Sequence, residues 1–300
     1  MMKNKILFTG GSSLLSVSWS KYFSKSFDVY LALHERIISI PNATCLKLDL
    51  GSFDSIFSAF QEINPSFVVN TAALTNVEYC ENNHDHAFRV NTSLAIDIAK
   101  VCNCLGIKLI HISTDHIFDG FSSFYTELSK PNPINVYGYT KLEAELGLQA
   151  ISENSLIIRT NFFDKGPSYR QSFSDWIIKK LRNQEKIGLF RDVYYTPIHV
   201  KYLSHYVHHL LTTNDTGIFN IVGPKRLSKY QFGVQLAHMF SLDLSLIQPI
   251  SIDDRIDLIK RPRDMSLSNA KIMNIVNDSS SFTDHLGLLL KTSSTQSDRL

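Results

Sequence analysis

The first half of the chain alternates short, almost wholly apolar runs with stretches of helical periodicity, and few folds accommodate that pattern. Residues 4–9 (NKILFT), 27–33 (FDVYLAL), 43–50 (ATCLKLDL), 67–72 (FVVNTA), 107–114 (IKLIHIST) and 155–160 (SLIIRT) read as strands. Between them, 14–23, 53–63, 85–105 and 136–150 carry helical patterns. A strand that is apolar along its whole length has no solvent-facing side and belongs in a sheet covered on both faces. Strands of this kind separated by helices predict an α/β fold with a doubly wound parallel sheet.

Beyond residue 165 the rhythm changes. Helical patterns over 171–184, 198–212 and 227–240 are interleaved with short strands such as GIFNIV at 217–222. The expected organisation is a Rossmann core over 1–160 and a smaller, mixed, substrate-binding region over 161–290, some of whose segments return to the core. A polar, frayed tail runs from Lys291 to Leu300. Composition excludes several other classes. A hydrophobic content of 44% is ample for a globular core. A net charge of +2 leaves no broad footprint for nucleic acid or an anionic membrane. No apolar run approaches the ~18–20 residues of a membrane helix. The opening MMKNKILFTGG turns polar at Thr9, which suits a first strand better than a signal peptide. Cys45, Cys80, Cys102 and Cys104 show no CxxC spacing, so reduced thiols in a cytoplasmic protein are expected. No metal site is expected either. His84 and His86 would diverge on a helix, and His205, His208 and His209 lack a companion acid and further ligand.

The first apolar run ends in TGGSSLLS, residues 9–16, and opens a helix. In dinucleotide-binding folds that turn sets backbone N–H groups and a helix N-terminus against a pyrophosphate, and glycines let the backbone come close. Here Gly10 keeps the first position of a TGxxGxxG pattern, while Ser13 and Ser16 replace the other two; a serine hydroxyl could itself donate to a phosphate. The segment reads equally well as an ordinary turn with an N-cap. Asp49 and Leu50, at the end of the third run, could meet an adenine, or the acid could cap the helix at 52. His34, Glu35 and Arg36 end the second run, and Arg36 tilts the reading toward a 2′-phosphate and NADPH, with NADH possible.

The most informative constellation is HISTDHIFDG followed by NVYGYTKLEAE. Tyr137 and Lys141 are four apart in a helical stretch and share a face. The preceding run delivers Ser113 and Thr114 at a strand C-terminus, where open α/β sheets bind ligands. Carbonyl reduction needs a proton donor beside the carbonyl oxygen, and a nearby ammonium can bring a tyrosine down from its usual value near 10. A Thr114 hydroxyl could hold the same oxygen. Tyr and Lys at this spacing are common on solvated helices; the joint pattern in this chain order is much rarer.

With these residues in view, the chain resembles the extended short-chain dehydrogenase/reductases of the dTDP-4-dehydrorhamnose reductase type. The regulatory β subunit of methionine adenosyltransferase is a relative within that group. The similarity runs through TGGSSLLS at 9–16, LDL at 48–50, NTAALTNVEYCE at 70–81 and VN at 90–91. It continues through STDHIFDG at 113–120, PINVYGYTKLEAE at 133–145, RTNFF at 159–163, TPIHVKYLSHYVHHLL at 196–211 and RPRDMSLSNAKI at 261–272. The resemblance implies a Rossmann fold with a C-terminal substrate region and NAD(P)H-dependent reduction of a 4-keto sugar on a nucleoside diphosphate. It implies Thr114, Tyr137 and Lys141 as catalytic residues. Gly10, Ser13, Leu14, Leu15, Asp49, Leu50, Ala72, Ala73 and Thr75 would meet the dinucleotide; Asp115, Asn161 and Phe162 would face the nucleotide sugar. The implied partner is that substrate, on a monomer or homodimer. The chain differs from the family pattern at Ser13, Ser16, His116, Phe162 and in RDVYY at 191–195. A non-catalytic regulatory subunit or a nucleotide-sugar epimerase on the same fold is the alternative.

Overall fold

The computed structural model describes residues 3–294. Its strands are β1 (Lys5–Phe8), β2 (Asp28–Leu33), β3 (Ala43–Lys47), β4 (Phe67–Asn70), β5 (Lys108–Thr114), β6 (Ser155–Thr160), β7 (Phe162–Phe163), β8 (Ile187–Phe190), β9 (Tyr194–Tyr195), β10 (Ile198–His199), β11 (Gly217–Asn220), β12 (Leu227–Ser228) and β13 (Ile247–Ile250). Its helices are α1 (Leu14–Phe23), α2 (Phe53–Ile63), α3 (Val77–Asn82), α4 (His84–Phe88), α5 (Leu94–Leu105), α6 (Val136–Ile151), α7 (Phe173–Arg182), α8 (Val200–Thr212), α9 (Lys229–Met239), α10 (Ala270–Val276) and α11 (Phe282–Ser294).

Seven strands form one parallel sheet in the order β11-β6-β5-β4-β1-β2-β3. The doubly wound parallel sheet expected from the apolar runs is therefore present. Every residue of β6 is buried, the burial that a strand covered on both faces requires. One apolar layer joins Trp19 and Phe23 of α1 to Leu203, Tyr206 and Leu210 of α8. The opposite layer joins Phe60 of α2, Ile98 of α5 and Leu148 of α6 to Leu7, Val68, Leu109 and Ile157 of the sheet. A third core, with Ile177, Leu189, Phe232, Leu236 and Leu286, holds α7, α9 and α11 around β8. β11 and α8 come from the second half of the chain yet belong to the main sheet and its covering layer.

Three expectations need correction. The third run stops pairing at Lys47, so Asp49 and Leu50 lie beyond the strand. The helix expected over 85–105 is broken into α4, a π-turn over Arg89–Ser93, and α5. The extra residue of that turn sets Asn91 inward. Its Oδ1 accepts from Leu74 N at 2.7 Å, and its Nδ2 donates to Leu74 O and Thr140 Oγ1, each at 3.0 Å. Asn91 thereby ties the loop after β4 to α6, as bulges at functional sites often do. In the expected tail, 291–294 continue α11, and 295–300 lie outside the described residues.

Candidate active site

Strand order reverses between β1 and β4, and the segments leaving β1, β4, β5 and β6 line one cavity there. Ser13, Leu14, Leu15, Ala73, Thr75, Thr114, Asp115, Tyr137, Lys141, Asn161 and Phe162 all line it. Gly10, Arg36, Asp49, Leu50 and Ala72 are not among its lining residues.

The turn after β1 keeps glycine where the backbone is crowded. A Cβ on Gly10 would lie 2.8 Å from the Thr71 carbonyl, and one on Gly11 2.7 Å from Ala32 O. At Ser13 and Ser16 the hydroxyls serve the chain itself. Ser13 Oγ caps α1 by accepting from Ser16 N at 3.1 Å and donates to Ser16 Oγ at 3.0 Å. Ser16 Oγ pairs with Thr71 Oγ1 at 2.7 Å. The expected donation from a serine hydroxyl to a phosphate is corrected by this bonding. What α1 offers an anion is the first-turn N–H groups of Leu14 and Leu15, which have no acceptor within the helix.

Arg36 is exposed, with its guanidinium 4.8 Å from the centre of the Tyr169 ring. The Tyr169 hydroxyl donates to Ser12 O at 3.1 Å, so the 164–172 segment touches both the β1 turn and the tip of β2. Asp49 accepts from Gly51 N, while Ser52 caps α2, which removes the helix-capping alternative for Asp49.

Tyr137 and Lys141 share the inward face of α6, and Asn135 caps that helix by accepting from Gly138 N at 2.9 Å. Burial pushes the Tyr137 hydroxyl well above its usual value; a hydrogen bond with Thr114 opposes this, and the Asp115 and Cys80 charges add to the rise. Lys141 is not among the groups that set this rise. Lys141 Nζ donates instead to Ile112 O at 2.7 Å and lies 3.0 Å from His111 Nε2. Burial brings Lys141 down to about 8, against the pull of Glu145. His111 has a fixed partner on its other side. Asn70 Oδ1 accepts from Thr9 Oγ1 and Ala72 N, so Asn70 Nδ2 donates to His111 Nδ1 at 3.1 Å. One turn beyond Lys141, Glu145 is fully buried and accepts from Arg159 Nε at 3.2 Å, from Arg159 Nη2 at 2.7 Å and from Ser113 Oγ. That arrangement locks α6 to β5 and β6.

Opposite, Asp115 is buried and pushed up to about 6 by desolvation, which Asn161 and Thr114 oppose. Asn161 Nδ2 donates to it at 2.7 Å and Thr114 Oγ1 at 3.2 Å. Sequence reasoning missed His111, Glu145, Arg159, Arg170, Tyr195 and Lys229. A signal existed for Lys229 alone: Ser228 and Gln231 form a capping box that fixes it as the first residue of α9.

A doubly wound sheet that gathers a Thr, a Tyr and a Lys at its strand ends defines a Rossmann-type protein of short-chain dehydrogenase/reductase architecture. More narrowly, residues 3–294 match the RmlD substrate binding domain, and the chain belongs to that family. It is 29% identical to a probable low-salt glycan biosynthesis reductase, Agl14, of Haloferax volcanii, covering 72% of this chain and 74% of that one. It is 27% identical to methionine adenosyltransferase 2 subunit beta of Bos taurus, covering 89% and 81%. A dTDP-4-dehydrorhamnose reductase from Bacillus anthracis, solved in complex with NADP, shares the fold with a TM-score of 0.87 at 23% identity, covering 97% and 100%.

Proposed function

We propose that the protein is an NAD(P)H-dependent reductase of a nucleotide-linked 4-keto-6-deoxy sugar, working in the supply of deoxysugar or polysaccharide precursors. The observation that carries this reading is the convergence of Thr114, Tyr137 and Lys141 on one cavity beside the turn after β1. The residues present fit a dinucleotide. Gly10 lets the turn after β1 pack against the backbone of Thr71 and Ala72, the α1 N-terminus offers unpaired N–H groups to a pyrophosphate, and Ala73 and Thr75 supply a small-residue wall. A reduced nicotinamide, when bound, supplies the hydride.

This chain's part in the reaction is the proton. Thr114 Oγ1, once its hydroxyl turns from Asp115, holds the substrate oxygen, and Tyr137 gives its hydroxyl proton to that oxygen as the carbonyl group becomes an alcohol. A phenol raised by burial stays protonated at neutral pH, which is the form that reduction requires. Lys141 holds the nicotinamide ribose, and the Glu145–Arg159 pair fixes the helix on which both residues stand. Arg36 favours NADPH over NADH, and Asp115 with Asn161 faces the sugar. Four free thiols suit a cytoplasmic setting, with a monomer or homodimer as the working form.

NADPH and NADH are titrated by fluorescence, dTDP-4-keto-6-deoxy sugars are then offered, and loss of reduced-nicotinamide absorbance is followed. Turnover is expected, with Tyr137→Phe lowering kcat roughly 10²–10⁴-fold while cofactor affinity holds. Full activity of Tyr137→Phe would sink the mechanism. The likeness to an adenosyltransferase β subunit over 89% of this chain favours one second reading, a dinucleotide-binding regulatory subunit. Cofactor binding without turnover on any keto sugar would support it.

A further inference from the structure

Lys229 has the environment of a cation that lacks its anion. Its ammonium lies 3.3 Å from the centre of the Tyr195 ring and 5.4 Å from that of Phe173. Among the described residues it makes no side-chain hydrogen bond or ion pair, whereas Arg226, three residues before it, and Arg261, close in space, are paired to Asp264 and Glu78. It is also the first residue of α9, where the helix dipole disfavours positive charge. Its backbone N–H is held by Val193 O at 3.1 Å, and Ser228 and Gln231 cap the helix, so its origin is fixed. Three costs thus fall on one side chain: partial desolvation, an unfavourable dipole and no oxygen partner. The two aromatic faces recover a part of this. A cation kept at such cost on the wall of a ligand cavity fits a negative oxygen brought by the ligand.

We propose that Lys229, on its Tyr195 and Phe173 platform, is a specificity-determining residue that binds an anionic oxygen of the substrate, with Arg170 on the same cavity wall. The inference rests on the nucleotide-sugar reading and deepens it. Asp115, which accepts from Asn161 and Thr114, acts on Lys229 as a nearby charge but, among the described residues, forms no ion pair or hydrogen bond with it. The anion has two sources of the same chemistry: the diphosphate, or a carboxylate on the sugar. The charged and titratable groups facing Lys229 are Asp115 beyond β5, Arg261 on the 251–269 segment and Tyr195 on β9, whose hydroxyl burial holds protonated. Burial brings Lys229 itself to about 8, so it loses its charge, and the anion its partner, as pH rises through that value.

The test is calorimetric titration of NADPH-loaded protein with dTDP, UDP-glucose and UDP-glucuronate, for the unaltered chain, Lys229→Met and Lys229→Arg. Lys229→Met should weaken binding roughly 10- to 100-fold and Lys229→Arg should restore it. Loss with all three ligands assigns the diphosphate; loss with UDP-glucuronate alone assigns a sugar carboxylate. Affinity of the unaltered protein should fall as pH rises through about 8, and Lys229→Arg should abolish that decline. Equal affinities for Lys229→Met and the unaltered protein with every ligand would overturn the proposal. The NADPH titration of each variant reports folding and tests the reductase reading separately.

Discussion

On the β5–α6 side of the cavity, polar groups are bonded to one another. Lys141 donates to the Ile112 carbonyl, His111 accepts from Asn70, and Glu145 gathers Arg159 and Ser113. Where the second half of the chain closes the same cavity, Lys229 has no oxygen partner among the described residues; between the two walls, at the ends of β5 and β6, His116 Nδ1 and Thr160 Oγ1 are buried without hydrogen bonds, as Arg159 Nη1 is in the frame. The first set builds a rigid frame for Tyr137; the second is left to be completed by whatever binds. Unpaired buried polar groups cost stability, and sites of function are where such costs are commonly retained.

The largest test of this contrast removes a frame member. Arg159→Met leaves Glu145 charged and buried beneath α6, and should destabilise the fold by about 3–5 kcal/mol, read by denaturant unfolding. Replacing Glu145 with Met as well should recover a large part of that loss. Unchanged stability of Arg159→Met would mean that the pair does not hold α6.

Asp115 should behave in the opposite sense. Its carboxyl is raised to about 6 in the folded chain, against an ordinary value of 3.8, so the folded state binds the proton more tightly. Ionisation therefore costs stability, nothing well below pH 3.8 and the full amount above about 6. Asp115→Asn should stabilise the protein by about 1–3 kcal/mol at neutral pH and by little near pH 3, while turnover falls. Thermal unfolding at several pH values measures this, and a variant that is less stable at pH 8 would break the contrast.

The smallest effect concerns the turn after β1. Restoring the motif glycine with Ser16→Gly deletes the bond to Thr71 and places glycine inside α1. A loss of about 1–2 kcal/mol should follow, without tighter cofactor binding. Tighter NADPH binding by Ser16→Gly would show that the serines are a defect and not part of the frame.

Much of the fold was legible because parallel strands covered on both faces must be largely apolar, which residues 6–8 of β1 and 67–69 of β4 show. Tyr137 and Lys141 were legible because four residues make about one turn of helix. The π-turn at Arg89–Ser93 was not, since local periodicity continues across it and only the inward placement of Asn91 requires the bulge. The role of the serines was not either. A hydroxyl that could reach a phosphate could equally cap its own helix, and the backbone geometry of Ser13 decides for the cap.

The sequence by itself determined the doubly wound sheet, the turn at Gly10 and the helix face shared by Tyr137 and Lys141. These depend on periods of two to four residues and on steric rules that act between near neighbours. Only the tertiary structure decided that Lys141 donates to the Ile112 carbonyl, 29 residues away. It alone brought Lys229 over Tyr195 and into the cavity with Asp115. Such contacts join segments far apart in the chain, and desolvation, which sets the charge of each group, exists only once the chain has closed around it.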